Sequence, residues 1–110
     1  DQIAVENAGR FIVAGCDMVK VEGAMTDRIR AICDAGIMVM SHLGLTPNTR
    51  AKLGGYKVQG KTADDAKIIL EQALKREDAG GSFLLLEAMP RVCRNDCRYF
   101  KHTSLWYRCW

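Results

Sequence analysis

The chain has 110 residues, which bounds it to at most one small domain. Of these residues, 48% are hydrophobic, enough for a packed core, but no apolar run is long enough to span a membrane. The net charge of +3 does not indicate a nucleic-acid partner. The last twenty residues include five basic residues and one acidic residue and carry a net charge of +4, so residues 1–90 carry a net charge of −1. The five cysteines show no regular spacing that would suggest a secreted disulfide scaffold.

Helical and strand patterns alternate through residues 1–90. We predict helices over 2–14 and from Met25 to just before Gly36, and a third that begins after the N-cap Thr62 and ends at 80–81. Short apolar runs predict strands at 17–22, 37–40 and 83–87, and a polar loop fills 41–61. Alternation with short connections predicts βαβ units, an α/β class and a parallel sheet.

Each predicted strand ends in polar side chains. Lys20 and Glu22, two apart, project to the same side of the first strand, His42 follows the second, and Glu87 ends the third. Because the carboxyl ends of parallel strands form the sites of α/β domains, these residues are candidates for one site. Other readings stay open: a solvated ion pair at a strand end, a histidine with local hydrogen bonds in a loop, and a glutamate that caps a following helix.

Four motifs carry a resemblance to a known family. They are residues 18–23 (Met-Val-Lys-Val-Glu-Gly), 41–47 (Ser-His-Leu-Gly-Leu-Thr-Pro), 54–61 (Gly-Gly-Tyr-Lys-Val-Gln-Gly-Lys) and 86–87 (Leu-Glu). In this order and near this spacing, residues 1–90 resemble the ketopantoate hydroxymethyltransferases. The resemblance implies a partial (β/α)8 TIM barrel with about three of the eight βα units. It implies transfer of a hydroxymethyl group from 5,10-methylenetetrahydrofolate to 3-methyl-2-oxobutanoate, which gives 2-dehydropantoate in pantothenate biosynthesis.

The resemblance also implies roles for the four polar residues. Lys20 and His42 would bind the keto-acid substrate, Glu22 would hold Mg²⁺, and Glu87 would be the proton acceptor. The family's two metal-binding aspartates lie on earlier strands that this chain lacks, so we expect the isolated chain to be inactive. A metal-dependent lyase of 2-oxo acids, similar to phosphoenolpyruvate mutase, is the alternative enzyme.

The expected setting also follows from the family. Its members are homo-oligomers, an assembly not expected of so short a fragment. The expected partner is the small-molecule substrate, with no nucleic acid and no membrane. The expected location is cytoplasmic, or mitochondrial in a eukaryote.

Residues 91–110 depart from the family pattern and show no helical or strand period. A small zinc-binding module is the alternative from a different functional class. Its ligands would be Cys93, Cys97, His102 and Cys109, although their spacing fits no standard zinc finger.

The genetic code suggests another origin for this tail. Tryptophan is encoded only by TGG, so reading one nucleotide later turns Trp106 and Trp110 into glycines. In that frame, the residues between them can read Ile, Gly and Ala, which restores the family's Gly-Ile-Gly-Ala-Gly motif. We therefore predict a frameshift near residue 90, with residues 1–90 a barrel fragment and 91–110 out of frame.

Overall fold

Helices and strands alternate through the structure. This computed structural model describes residues 1–23, 25–49, 51–52, 54–55, 57–90 and 104–108, with Thr49 and residues 104–108 described through their backbone only. The helices are α1 (Gln2–Val13), α2 (Thr26–Asp34) and α3 (Ala63–Asp78), and a short 3-10 turn covers Pro47–Thr49. The strands are β1 (Val19–Glu22), β2 (Val39–Gly44), β3 (Phe83–Glu87) and β4 (Ser104–Arg108). In this part of the chain, none of the helices has the length and apolar character that crossing a membrane requires.

The four strands form one parallel sheet in the order β1-β2-β3-β4, which confirms the predicted α/β class and parallel pairing. Glu22 on β1 pairs with His42 on β2, and His42 pairs with Leu85 on β3. Because residues two apart share a face of a sheet, this register puts Lys20, Glu22, His42 and Glu87 on one face. The alternate residues of the same strands face the helices.

Two hydrophobic clusters hold the helices against the sheet. The first joins α1 and α2 to β1 and β2 and is formed by Ala8, Val19, Ile29, Ile32, Val39 and Ala79. The second joins α3 to β2 and β3 and is formed by Leu43, Ala73, Leu84, Leu86 and Met89. Thr62 caps α3 as predicted, since its Oγ1 accepts a hydrogen bond of 3.1 Å from the backbone N–H of Asp65.

The second strand differs from the prediction. The sequence pattern predicts a strand at 37–40 and places His42 in the following loop, but β2 runs from Val39 to Gly44 and includes His42. The strand extends because its backbone pairs with β1 on one side and β3 on the other. Ladder pairing on both sides outweighs the polar local sequence that suggested a loop.

The tail also differs from the prediction, which expected no regular element after residue 90. Ser104–Arg108 forms β4, parallel to β3. Without β4, β3 would end the sheet with unpaired backbone groups, which readily accept another strand. The candidate zinc ligands Cys93, Cys97, His102 and Cys109 lie outside the described residues, so the structure does not test the zinc interpretation.

Candidate active site

The structure brings all four predicted site residues together at the carboxyl ends of β1, β2 and β3. Lys20 Nζ lies 3.5 Å from Glu22 Oε1, so the two charged side chains share one side of β1 as predicted. His42 projects between the carboxylates of the two neighbouring strands. Its Nδ1 is 3.3 Å from Glu22 Oε1, and its Nε2 is 3.1 Å from Glu87 Oε2.

His42 is the centre of this arrangement, and its side chain is fully buried. Both ring nitrogens approach carboxylate oxygens, yet within the described residues neither makes a hydrogen bond of acceptable geometry. Buried polar atoms without hydrogen bonds are rare in folded proteins. A small adjustment of either carboxylate would complete a hydrogen bond to the imidazole.

Glu22 is held by three groups. Besides Lys20 and His42, the backbone N–H of Asn48 donates a hydrogen bond of 3.2 Å to Glu22 Oε2. The sequence pattern does not reveal this contact, because it indicates only a loop over residues 41–61. Pro47 was the available signal, since it starts a 3-10 turn whose first N–H groups lack partners within the turn. The Lys20 ammonium group and the Asn48 N–H therefore both face the Glu22 carboxylate.

The backbone around Glu87 is held by two loops. The N–H of Leu45 donates to the carbonyl oxygen of Glu87 at 2.9 Å, and the N–H of Gln59 donates to that of Ala88 at 2.8 Å. Gly44 allows this close approach, because a Cβ added there would lie 2.3 Å from the Glu87 carbonyl oxygen. Ala88 has a φ of +53°, a conformation uncommon for residues other than glycine. Backbone strain next to a buried carboxylate is typical of functional sites.

The Glu22 carboxylate can serve as one ligand of a hard cation. Among the described residues, no three His, Cys, Asp or Glu side chains converge on one metal position. Mg²⁺ is often held by only one or two protein carboxylates, with water and substrate completing its shell. The Glu22 carboxylate, about 10% exposed, fits that pattern as a single ligand.

A cavity of about 590 Å³ lies away from these residues. It is next to α1 and α2, and its lining includes Ile3, Val21 and Ile32 but none of the four site residues. The side chain of Val21 packs with the first hydrophobic cluster, on the face of the sheet opposite to Lys20 and Glu22. The candidate site therefore lies at the carboxyl ends of the strands and not in this cavity.

The sequence matches known proteins over most of its length. The family model described as ketopantoate hydroxymethyltransferase matches residues 1–96. A 3-methyl-2-oxobutanoate hydroxymethyltransferase of Heliobacterium modesticaldum is 51% identical over 90 residues, which cover 79% of this chain and 33% of that protein. The enzyme of the same name from Alkaliphilus metalliredigens is 48% identical over 93 residues, covering 82% and 33%. That of Desulfotalea psychrophila is 50% identical over 90 residues, covering 79% and 32%. The chain spans about a third of the length of these curated relatives.

Proposed function

Because this chain belongs to the ketopantoate hydroxymethyltransferase family, we propose that it contributes the base and part of the substrate site of a hydroxymethyltransferase. The reaction would transfer the one-carbon unit of 5,10-methylenetetrahydrofolate to 3-methyl-2-oxobutanoate as a hydroxymethyl group, with water supplying its oxygen, and would give 2-dehydropantoate and tetrahydrofolate. The observation that carries this proposal is the placement of His42 between the Glu22 and Glu87 carboxylates at one sheet edge.

We propose further that the sheet is part of a (β/α)8 barrel. Its strands follow each other in space in the same order as in the chain, and both core clusters lie on one face. In a barrel the other face, with Lys20, Glu22, His42 and Glu87, would be the interior. The site would then lie at the carboxyl ends of the strands, where barrel enzymes bind their substrates.

Glu87 is the proposed general base. The proton to be removed is on C3 of the keto acid, next to the keto group. Glu87 Oε2 faces His42, which leaves Oε1 to accept this proton. The electron pair of the broken C–H bond then forms the new bond from C3 to the one-carbon unit, while the carbon–nitrogen bonds of the folate break and water supplies the hydroxyl group. A carboxylate about 12% exposed at the end of an apolar strand is shielded from water, which suits it to this task.

The other residues orient the substrate. Lys20 Nζ would bind the carboxylate of the keto acid as a compact positive charge. His42 lies next to both carboxylates and would line the pocket. Glu22 would hold Mg²⁺, which supplies positive charge near the keto and carboxylate oxygens as negative charge builds up there.

A chimera tests the proposal. Residues 1–90 would replace the matching third of the Heliobacterium modesticaldum enzyme, which is 51% identical over the aligned region. With Mg²⁺ and both substrates, we expect the chimera to form 2-dehydropantoate, and Glu87→Gln to lower turnover about 10²- to 10⁴-fold, as expected for loss of a general base. Glu87→Gln should also stop exchange of the C3 hydrogen with solvent deuterium in the absence of the folate. Glu71→Gln, an exposed glutamate on α3, is the matched control. Normal turnover by the Glu87→Gln chimera would rule out this role.

We also propose that the last residues are read out of frame. The predicted out-of-frame segment is 91–110, whereas the family model matches residues 1–96, so the match includes the first six residues of that segment and leaves out 97–110. The test is the nucleotide sequence after the codon for Pro90, read in all three frames. A neighbouring frame that encodes Gly-Ile-Gly-Ala-Gly would support the frameshift, and its absence would refute it.

A further inference from the structure

Arg76 is a charged residue buried in the layer between α3 and the sheet. Only 2% of it is exposed. It lies on α3 between Ala73, which belongs to one hydrophobic cluster, and Ala79, which belongs to the other. Ser41, also buried, occupies the corresponding place on β2 between the two clusters. Arg76 therefore stands at the boundary between the two hydrophobic clusters.

Within the described part of the chain, the guanidinium donates two hydrogen bonds, both to backbone carbonyl oxygens. Nη1 donates to the oxygen of Gln72 at 2.9 Å, and Nη2 donates to the oxygen of Gly23 at 2.6 Å. Burial lowers the pKa of Arg76 because its charged form loses contact with water. The first bond stays within α3, whereas the second links α3 to the turn that follows β1.

Stability alone is a poor explanation for an arginine at this position. A leucine would continue the apolar face of α3 without the large desolvation penalty of a buried guanidinium. Two hydrogen bonds offset that penalty but leave little net gain. The distinctive effect of Arg76 is the link to Gly23.

Gly23 controls the direction in which β1 ends. It has a φ of +85°, which favours glycine, and its carbonyl oxygen also accepts the backbone N–H of Met25 at 3.0 Å. Glu22 directly precedes it, and its carboxylate contacts Lys20 and His42. A shift of this turn would therefore move the Glu22 carboxylate relative to its partners.

We propose that Arg76 is a positioning residue that holds the Gly23 turn and so aims the Glu22 carboxylate into the active site. The proposal deepens, and rests on, the proposed role of Glu22 as a Mg²⁺ ligand. Arg76 lies on the helix side of the sheet and does not touch the substrate, so it acts through the backbone. The proposal predicts that loss of the guanidinium weakens metal binding more than it lowers the stability of the fold.

Hydrogen exchange of the 110-residue chain tests the link to the turn. In Arg76→Leu, we expect the Met25 amide to exchange at least tenfold faster, while the midpoint of urea unfolding stays the same or rises. Lys75→Leu removes an exposed positive charge one residue away on α3 and should change neither quantity. Unchanged Met25 exchange in Arg76→Leu would overturn the proposal.

Metal binding to the chimera tests the effect on Glu22. Mn²⁺, used in place of Mg²⁺, is followed by electron paramagnetic resonance without turnover. Residues that orient a ligand typically change metal affinity 10- to 100-fold, so we expect Arg76→Leu to raise the Kd for Mn²⁺ about tenfold. Arg76→Lys keeps a positively charged donor group and should restore most of the affinity, and Lys75→Leu should match the parent. Equal Mn²⁺ affinity in the parent and Arg76→Leu would refute the role of Arg76 alone. A parent chimera that binds no Mn²⁺ would refute the proposed role of Glu22 and, with it, this inference.

Discussion

Replacing Gly44 with alanine should disrupt the end of β2 and the support of Glu87. Gly44 has a φ of +83°, and an added Cβ would lie 2.3 Å from the Glu87 carbonyl oxygen and 3.1 Å from Met89 Cγ. An approach of 2.3 Å to a backbone oxygen cannot be relieved by a side-chain rotation. Either β2 or β3 must therefore move, and the hydrogen bond of 2.9 Å between the Leu45 N–H and that oxygen would be lost.

Three contributions give the expected size of the effect. The left-handed conformation costs alanine about 1–2 kcal/mol relative to glycine. Overpacking of a buried site costs about 1–3 kcal/mol. Loss of a backbone hydrogen bond costs about 0.5–1.5 kcal/mol. Because the backbone shift that relieves the overlap also breaks the bond, these terms overlap, and we expect Gly44→Ala to lower the free energy of unfolding by about 3–5 kcal/mol.

Gly36→Ala is the matched control. Gly36 has a φ of +81°, but an added Cβ would meet nothing within 4 Å, so this variant isolates the backbone conformation. Its expected cost is about 1–2 kcal/mol. Urea unfolding of the 110-residue chain, followed by far-ultraviolet circular dichroism, measures both variants. A Gly44→Ala loss no larger than that of Gly36→Ala would refute the argument from close approach.

Three other substitutions test local features. Ala88→Gly should leave the free energy of unfolding nearly unchanged, because relief of the φ of +53° offsets the lost methyl group. Ala73→Gly, inside α3, should lower the free energy of unfolding by about 1.5 kcal/mol. Urea unfolding compares the two variants, and equal losses would contradict the proposed strain at Ala88. Thr62→Ala removes the side-chain cap of α3 and should lower the free energy of unfolding by about 1 kcal/mol in the same assay. An unchanged free energy of unfolding would show that the cap does not stabilise the helix. Burial and then the adjacent carboxylate of residue 34 raise the pKa of the Cys33 thiol above its ordinary value of 9.0, so the folded state keeps this proton longer than the unfolded state. Stability should therefore fall as the pH rises above about 9, and less so in Cys33→Ala. Iodoacetamide should also label Cys33 more slowly than the exposed Cys16, as read by peptide mass spectrometry, and equal rates would contradict the raised pKa.

The sequence was informative where local pattern and sheet geometry agree. Apolar runs and glycine stops predicted the alternating elements, and the strand ends predicted that Lys20, Glu22, His42 and Glu87 would meet. That prediction worked because carboxyl ends of parallel strands share an edge whatever the details of packing. It placed His42 in a loop, however, because the strand state of Ser41–Gly44 depends on pairing with β1 and β3 rather than on local composition.

Other features depend on contacts between residues distant in the chain. The Asn48 N–H on Glu22 joins residues 26 positions apart, and the Arg76 bond to Gly23 joins residues 53 positions apart. Periodicity within a window of the sequence cannot reveal either contact. The same holds for β4, since its pairing depends on the open edge of β3 and not on a strand pattern in the tail.

The order of the strands determines which part of the gene encodes the described site. Because neighbours in the chain are also neighbours in the sheet, all four side chains of the described site come from the single uninterrupted stretch 20–87. A deletion, fusion or change of reading frame downstream would leave that stretch whole. This cluster of four side chains could therefore pass intact between proteins as one genetic block.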